Sequence, residues 1–224
     1  MTFWIINFLT ALLAFAIAAI SGKWLVPFLH KIKFGQPIKT KDGPQWHAKK
    51  QGTPTMGGFM FIIASVIMTV AGYWVYRIQA GLDVTNPETH NAFYRLLSVL
   101  VFSLLFGLIG FIDDYTKVAR KNNDGLTAVQ KIILQTLFSL GFLFMLYKFG
   151  DGSTALDLGF WVSPQLGVFY YIIMIPVIIY LTNAVNLTDG VDGLCGSVTF
   201  SAMLIFTVCC AVLNEAEISC FTMA

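Results

Sequence analysis

Two adjacent carboxylates, Asp113 and Asp114, close a run of some twenty mostly apolar residues that begins near Phe93. They stand in Gly110-Phe111-Ile112-Asp113-Asp114-Tyr115-Thr116-Lys117. A charged side chain at the centre of a bilayer costs about 2.5–3.5 kcal/mol on insertion scales, so the pair belongs at a membrane surface or in a wet cleft. On a helix the two side chains point in different directions, and one can bind a cation while the other handles a proton. Lys117 lies four residues after Asp113 and three after Asp114, within pairing distance of either. A plain helix-end salt bridge uses the same residues.

A second set of oxygen ligands lies in Asn183-Ala184-Val185-Asn186-Leu187-Thr188-Asp189-Gly190-Val191-Asp192-Gly193-Leu194. Asn186, Asp189 and Asp192 recur every third residue and would share one side of a helical turn. Such ligands, without basic neighbours, suit a hard cation such as Mg2+, which bridges a few carboxylates to substrate phosphates. The ligand pattern of an EF-hand is absent, and a polar turn between helices is the simpler alternative. A third stretch runs from Trp46 through His47, Lys49, Lys50, Thr53, Pro54, Thr55 and Met56 to Gly57-Gly58. Lysines and hydroxyls there suit phosphate oxygens, and Pro54 and the glycines permit tight turns. A basic anchor beside anionic lipid, followed by a closely packing helix start, fits equally well.

The elements that must position these residues are membrane helices. The 224 residues are 57% hydrophobic and 12% charged, with a mean hydropathy of +0.73, against about 25% charged in a soluble domain. A span takes about 20 apolar residues, which predicts six helices, near Phe3–Phe28, Met56–Tyr76, Phe93–Ile112, Val129–Tyr147, Leu166–Val185 and Leu194–Leu213. The fold class is therefore all-α, a polytopic transmembrane bundle, with residues 1–224 as a single integral membrane domain. The first run lacks a preceding basic residue and exceeds the core of a signal peptide, so it reads as a retained helix. Pro176 interrupts the fifth run, which membrane helices tolerate. Eleven of the fourteen Lys and Arg fall in or beside the first and third connections. By the positive-inside rule the amino terminus is outside and the first and third connections are cytoplasmic; by alternation the Asn183–Leu194 loop is too, although it has no Lys or Arg of its own.

The four cysteines (Cys195, Cys209, Cys210 and Cys220) have no metal-ligand spacing and read as small membrane-core residues. No nucleic-acid motif is present. A transporter would place charges near helix midpoints, and these apolar runs are nearly clean. Carboxylates, lysines and glycine turns gathered on one face suit phosphoryl chemistry on a substrate anchored in the inner leaflet.

Three ordered motifs carry a resemblance that covers essentially the whole chain. They are Lys50 through Gly58 with its Thr-Pro-Thr-Met-Gly-Gly, Asp113 through Lys117, and Asn186 through Gly193; Lys131 and Gln135 also fit. The chain resembles the polyprenyl-phosphate N-acetylhexosamine-1-phosphate transferase superfamily of bacterial cell membranes. The nearest branch in this resemblance makes lipid I, in the first membrane step of peptidoglycan synthesis.

The resemblance implies transfer of phospho-N-acetylmuramoyl-pentapeptide from UDP-N-acetylmuramoyl-pentapeptide to undecaprenyl phosphate, with UMP released and Mg2+ required. It makes Asp113 the base, or on another proposal the nucleophile, and sets Asp114 and Asp189 at the Mg2+–diphosphate site. It gives Asn186 and Asp192 to the nucleotide pocket, and Lys50, Thr55, Lys117 and Lys131 to the phosphates. A homodimer is compatible with it. A sister transferase using another UDP-N-acetylhexosamine is the nearest rival. The family carries further helices, a Gly-Asp-Thr-Gly-type loop with a principal Mg2+ ligand, and a histidine-rich loop that His30, His47 and His90 do not match. These 224 residues alone are thus expected to be inactive.

Overall fold

A computed structural model of the chain describes residues 2–31, 56–83, 85–120, 125–150, 152–156, 164–189 and 193–213. Six helices follow one another among them: α1 (Thr2–Lys31), α2 (Phe59–Ala80), α3 (Pro87–Arg120), α4 (Ala128–Phe149), α5 (Val168–Thr188) and α6 (Leu194–Val212). There is no strand among the described residues, only an isolated bridge between Ala155 and Gln165. Helices α1 to α5 are long and apolar enough to cross a membrane, and α6 is apolar but shorter. Large apolar side chains stay exposed along them, among them Phe15, Ile67, Leu137, Ile172 and Ile205. Such continuous apolar exposure is foreign to a soluble monomer and suits lipid. The chain is a multi-pass membrane protein.

Polar side chains turn inward instead. Asn7, Thr69, Ser98, Gln135 and Ser139 are all buried. Small residues let the helices close on one another. A Cβ on Gly72 would stand 2.9 Å from Thr10 Oγ1, and one on Gly141 would stand 2.9 Å from the Phe102 ring.

Contacts at both ends of each pair show that α1 to α5 run antiparallel in succession. Gly22 meets Met60 while Gly72 meets Thr10. Aromatic rings space α2 from α3, Phe59 against Phe111 at 5.5 Å and Tyr73 against Phe93 at 5.6 Å. Phe102 meets Phe142 and Phe106 meets Phe138 between α3 and α4. Gln135 meets Asn183 and Tyr147 meets Tyr171 between α4 and α5. This alternation gathers the start of α2, the end of α3, the start of α4 and the end of α5 at one end of the bundle.

Two boundaries differ from the sequence expectation in ways that matter. The Asp113-Asp114 pair does not end its helix: α3 starts at Pro87 rather than Phe93 and runs on to Arg120. No Gly or Pro interrupts residues 111–120, and the i,i+3 and i,i+4 pairing with Lys117 favours helix on both sides of the membrane boundary. At about 1.5 Å per residue α3 is roughly 50 Å long, so it projects beyond a ~30 Å hydrocarbon layer. Helix α5 ends at Thr188, and Asp189 turns out of it with φ −78° and ψ 34°. Gly193 then takes φ +80°. The α-helix therefore ends before Asp189, and Asp192 lies outside the described residues.

Candidate active site at the end of α3

The site begins with the start of α4. Thr127 forms a capping box there: the Gln130 backbone N–H donates to Thr127 Oγ1 at 3.2 Å, and the Thr127 N–H donates to Gln130 Oε1 at 2.9 Å. This reciprocal pair satisfies two of the donors that a helix start leaves open. It also fixes the preceding residues, so that the Leu126 N–H donates to Asp113 Oδ1 at 2.7 Å. One turn into α4, Lys131 Nζ reaches the same oxygen at 3.0 Å. Lys117 Nζ takes the other, 2.7 Å from Asp113 Oδ2, and lies 3.1 Å from Asp114 Oδ1.

Asp113 is buried, at 7% exposure, and both its oxygens are occupied by donors. Two of those donors are ammonium groups, so the arrangement is that of an ionised carboxylate. Burying a lone carboxylate would be prohibitive, but pairing it with two cations and a backbone N–H makes the burial tenable. Asp114 shares one cation, keeps about a third of its side chain exposed, and its second oxygen has no partner among the described residues.

Gly125 is essential to this packing. A Cβ there would collide with Asp113 Oδ1, stand 2.7 Å from Asp113 Cγ and lie 2.9 Å from the Asp113 carbonyl oxygen. Sequence reading passed over Gly125 and Leu126. The turn-like Asn122-Asn123-Asp124-Gly125 run before a Thr-x-x-Gln capping pattern signals a helix start, but not which carboxylate packs on it.

Four residues past Lys131 on the same face, Gln135 connects the site to α5. Asn183 Nδ2 donates to Gln135 Oε1 at 3.0 Å and to the Ile179 carbonyl at 2.8 Å, and Gln135 Nε2 returns to Asn183 Oδ1 at 3.5 Å. Gln135 is 4% exposed, so the amide pair replaces water for both groups. Asn183, which opens the Asn183–Leu194 stretch but was not singled out from sequence, is its partner. Asn186 follows on α5 and Asp189 caps its end, both exposed, with no side-chain bond among the described residues. Lys50, Thr55 and Asp192 lie outside the described residues, as does most of the first motif. Its last residues, Met56-Gly57-Gly58, lead directly into α2 at this end of the bundle, with Met56 at φ 69°. A non-glycine residue in that region is strained.

The structure thus brings together Asp113, Asp114, Lys117 and Lys131 in direct contact and places Asn186 and Asp189 at the same end. For Mg2+, Asp114 and Asp189 offer the hard oxygen donors and remaining exposure that the ion needs. Among the described residues no group of three or more His, Cys, Asp or Glu could enclose a metal. These two carboxylates alone do not make a closed metal site, and an ion there would take its remaining ligands from substrate phosphates. Asp113 fits poorly as a ligand in this arrangement, because lysines and an N–H already take both oxygens.

The chain is 38% identical to the phospho-N-acetylmuramoyl-pentapeptide-transferase of Clostridium botulinum (strain Alaska E43 / Type E3) over 216 residues, covering 95% of the chain and 60% of that relative. It is 41% identical over 200 residues to the protein of that name from Heliobacterium modesticaldum, covering 87% and 56%. It is 37% identical over 216 residues to that of Listeria monocytogenes, covering 96% and 62%. The chain spans about three-fifths of the length of these curated relatives. Residues 96–224, more than half the chain and including Asp113, Asp114, Lys117, Lys131, Asn186 and Asp189, match the family described as glycosyl transferase family 4. The chain belongs to glycosyl transferase family 4.

Proposed function

We propose that this chain supplies the Asp113 end of a site that transfers phospho-N-acetylmuramoyl-pentapeptide from its UDP conjugate to undecaprenyl phosphate, giving lipid I and UMP. The observation that carries the reading is the buried Asp113 carboxylate gripped by Lys117 and Lys131 where α3 leaves the membrane span. The relatives' names support the substrate, and the clustering of Lys and Arg at this end supports a cytoplasmic site with the amino terminus outside.

Two anionic phosphates must meet here, so their repulsion has to be screened. In the arrangement seen, Asp113 holds both lysines at the site and is itself too well paired to be a good base. Incoming phosphates are multivalent anions that compete for the same ammonium groups. Drawing Lys131 or Lys117 onto a phosphate would leave Asp113 buried and undercompensated. It is then a better base, placed to take a proton from the lipid phosphate. Asp114 and Asp189 would hold Mg2+, with Asn186 and Asp192 toward the nucleotide and Lys50 and Thr55 toward the phosphates. Mg2+, when bound, supplies charge neutralisation at the diphosphate. Pairing of two copies into a homodimer is compatible with this reading.

The test joins this chain to the remaining carboxy-terminal part of the Clostridium botulinum relative. UDP-N-acetylmuramoyl-pentapeptide and UDP-N-acetylglucosamine then compete for transfer to undecaprenyl phosphate. Mg2+-dependent label in lipid I from the muramoyl donor is expected. Transfer of the other sugar in preference would refute the substrate assignment, and turnover unaffected by chelation would refute the metal assignment.

A further inference from the structure

At the opposite end of the bundle, a cavity of about 340 Å³ opens between the last turns of α2 and the first turns of α3. Tyr73, Trp74, Arg77, Thr89, His90 and Phe93 line it, with Tyr94 beside them. His90 is 23 residues before Asp113 on one helix, a separation of roughly 35 Å at the α-helical rise. That is about a bilayer's hydrocarbon thickness, so the cavity and the Asp113 site lie at opposite membrane faces.

Arg77 is the unusual group here. It is 8% exposed, and its guanidinium carbon stacks 4.9 Å from the centroid of the Trp74 ring. No carboxylate pairs with it among the described residues. Glu88, the nearest acid on α3, is exposed. An arginine at a membrane surface normally snorkels, with its stem along apolar groups and its head in water. Arg77 is instead folded into the cavity wall. A buried cation without an anion is costly, and a cation–π contact of about 0.5–2 kcal/mol offsets only part of that cost.

We propose that this cavity binds the phosphate of an anionic ligand at the face opposite the Asp113 site, through the Arg77 guanidinium. The guanidinium fork matches phosphate oxygens in two-point geometry. Thr89 and the His90 ring add polar atoms to the wall. Trp74 and Tyr94 supply amphipathic rings of the kind that sit at headgroup depth, with the apolar Phe93 ring beside them. Trp74 is 46% exposed, so the wall leads from the cation out toward lipid. Two sources offer this chemistry, a phospholipid headgroup and free inorganic phosphate.

The experiment places the whole chain in phosphatidylcholine nanodiscs doped with a photoactivatable phosphatidylglycerol, and maps the label by peptide mass spectrometry. A photoactivatable phosphatidylcholine serves as control. Labelling by the anionic probe is expected within residues 73–77 and 89–94, reduced about tenfold in Arg77→Gln and only partly restored in Arg77→Lys, which keeps the charge but loses the two-point fork. Added millimolar inorganic phosphate separates the sources: loss of label assigns a site for free phosphate, and persistence assigns a lipid headgroup. Equal labelling by both probes, label elsewhere, or unchanged label in Arg77→Gln overturns the proposal. If Arg77→Gln loses its helical circular dichroism, the wild-type map and the two-probe comparison decide alone.

Discussion

Replacing Gly125 by Ala separates this site geometry from a generic loop. Gly125 does not occupy the left-handed region, so on backbone grounds alone the extra methyl would stabilise the chain by about 0.4–1 kcal/mol through the unfolded state. The packing opposes this. The new Cβ would meet the Asp113 carboxylate and stand 2.9 Å from its carbonyl oxygen. That carboxylate cannot swing away, because Lys117, Lys131 and the Leu126 N–H hold both oxygens. Something must yield, and the Leu126 hydrogen bond is the nearest contact. A hydrogen bond to a charged group is worth about 1.5–3 kcal/mol, more than the entropic gain, so a net loss of about 1–2 kcal/mol is expected. Gly110→Ala is the matched control: it lies in α3 with nothing within 4 Å of its Cβ, and it should gain up to about 1 kcal/mol. Thermal unfolding in detergent micelles, followed by far-UV circular dichroism, should lower the midpoint for Gly125→Ala and raise it for Gly110→Ala. A Gly125→Ala protein as stable as wild type would refute the reasoning.

Other perturbations test the neighbouring links. Lys131→Met should cost about 1–2 kcal/mol in the same unfolding assay, less than a wholly buried pair, because the Lys131 side chain is 29% exposed and Lys117 remains. Gln135→Ala and Asn183→Ala should each destabilise by about 1–2 kcal/mol, and a double-mutant cycle should show coupling of at least ~0.5 kcal/mol; additive losses would remove the amide pair from the account. At Met56, held at φ 69°, the β-branched Met56→Ile should be less stable than Met56→Gly by about 1–2 kcal/mol, and equal midpoints would argue against strain there.

The Asp113-Asp114-Lys117 contacts were legible because i,i+3 and i,i+4 pairing is local to one helix, and the structure forms both pairs. All six helices were legible from apolar runs, and their alternation already implied that the three polar motifs meet at one end. The extent of α3 was not legible from that pattern, because hydropathy marks where lipid ends and helix propensity continues through Asp113 to Arg120. Gly125 and Leu126 stayed invisible for a different reason. Their role is a contact across the turn from α3 to α4, which no periodicity encodes. The Gln135–Asn183 pair likewise joins residues 48 apart in sequence, and nothing local identifies an amide as the partner of another. The even spacing of Asn186, Asp189 and Asp192 suggested one helical turn, whereas α5 ends at Thr188, before Asp189.

The most direct measurement concerns Asp113 itself. With the chain joined to the remaining part of the Clostridium botulinum relative, transfer of labelled phospho-N-acetylmuramoyl-pentapeptide to undecaprenyl phosphate is compared between wild type and Asp113→Asn at matched membrane levels. An amide keeps the size of the side chain but can neither take a proton nor hold two lysines by charge. The expected result is loss of turnover by at least ~100-fold, the usual contribution of a positioned base, with folded protein retained. Near-normal turnover in Asp113→Asn would contradict the account.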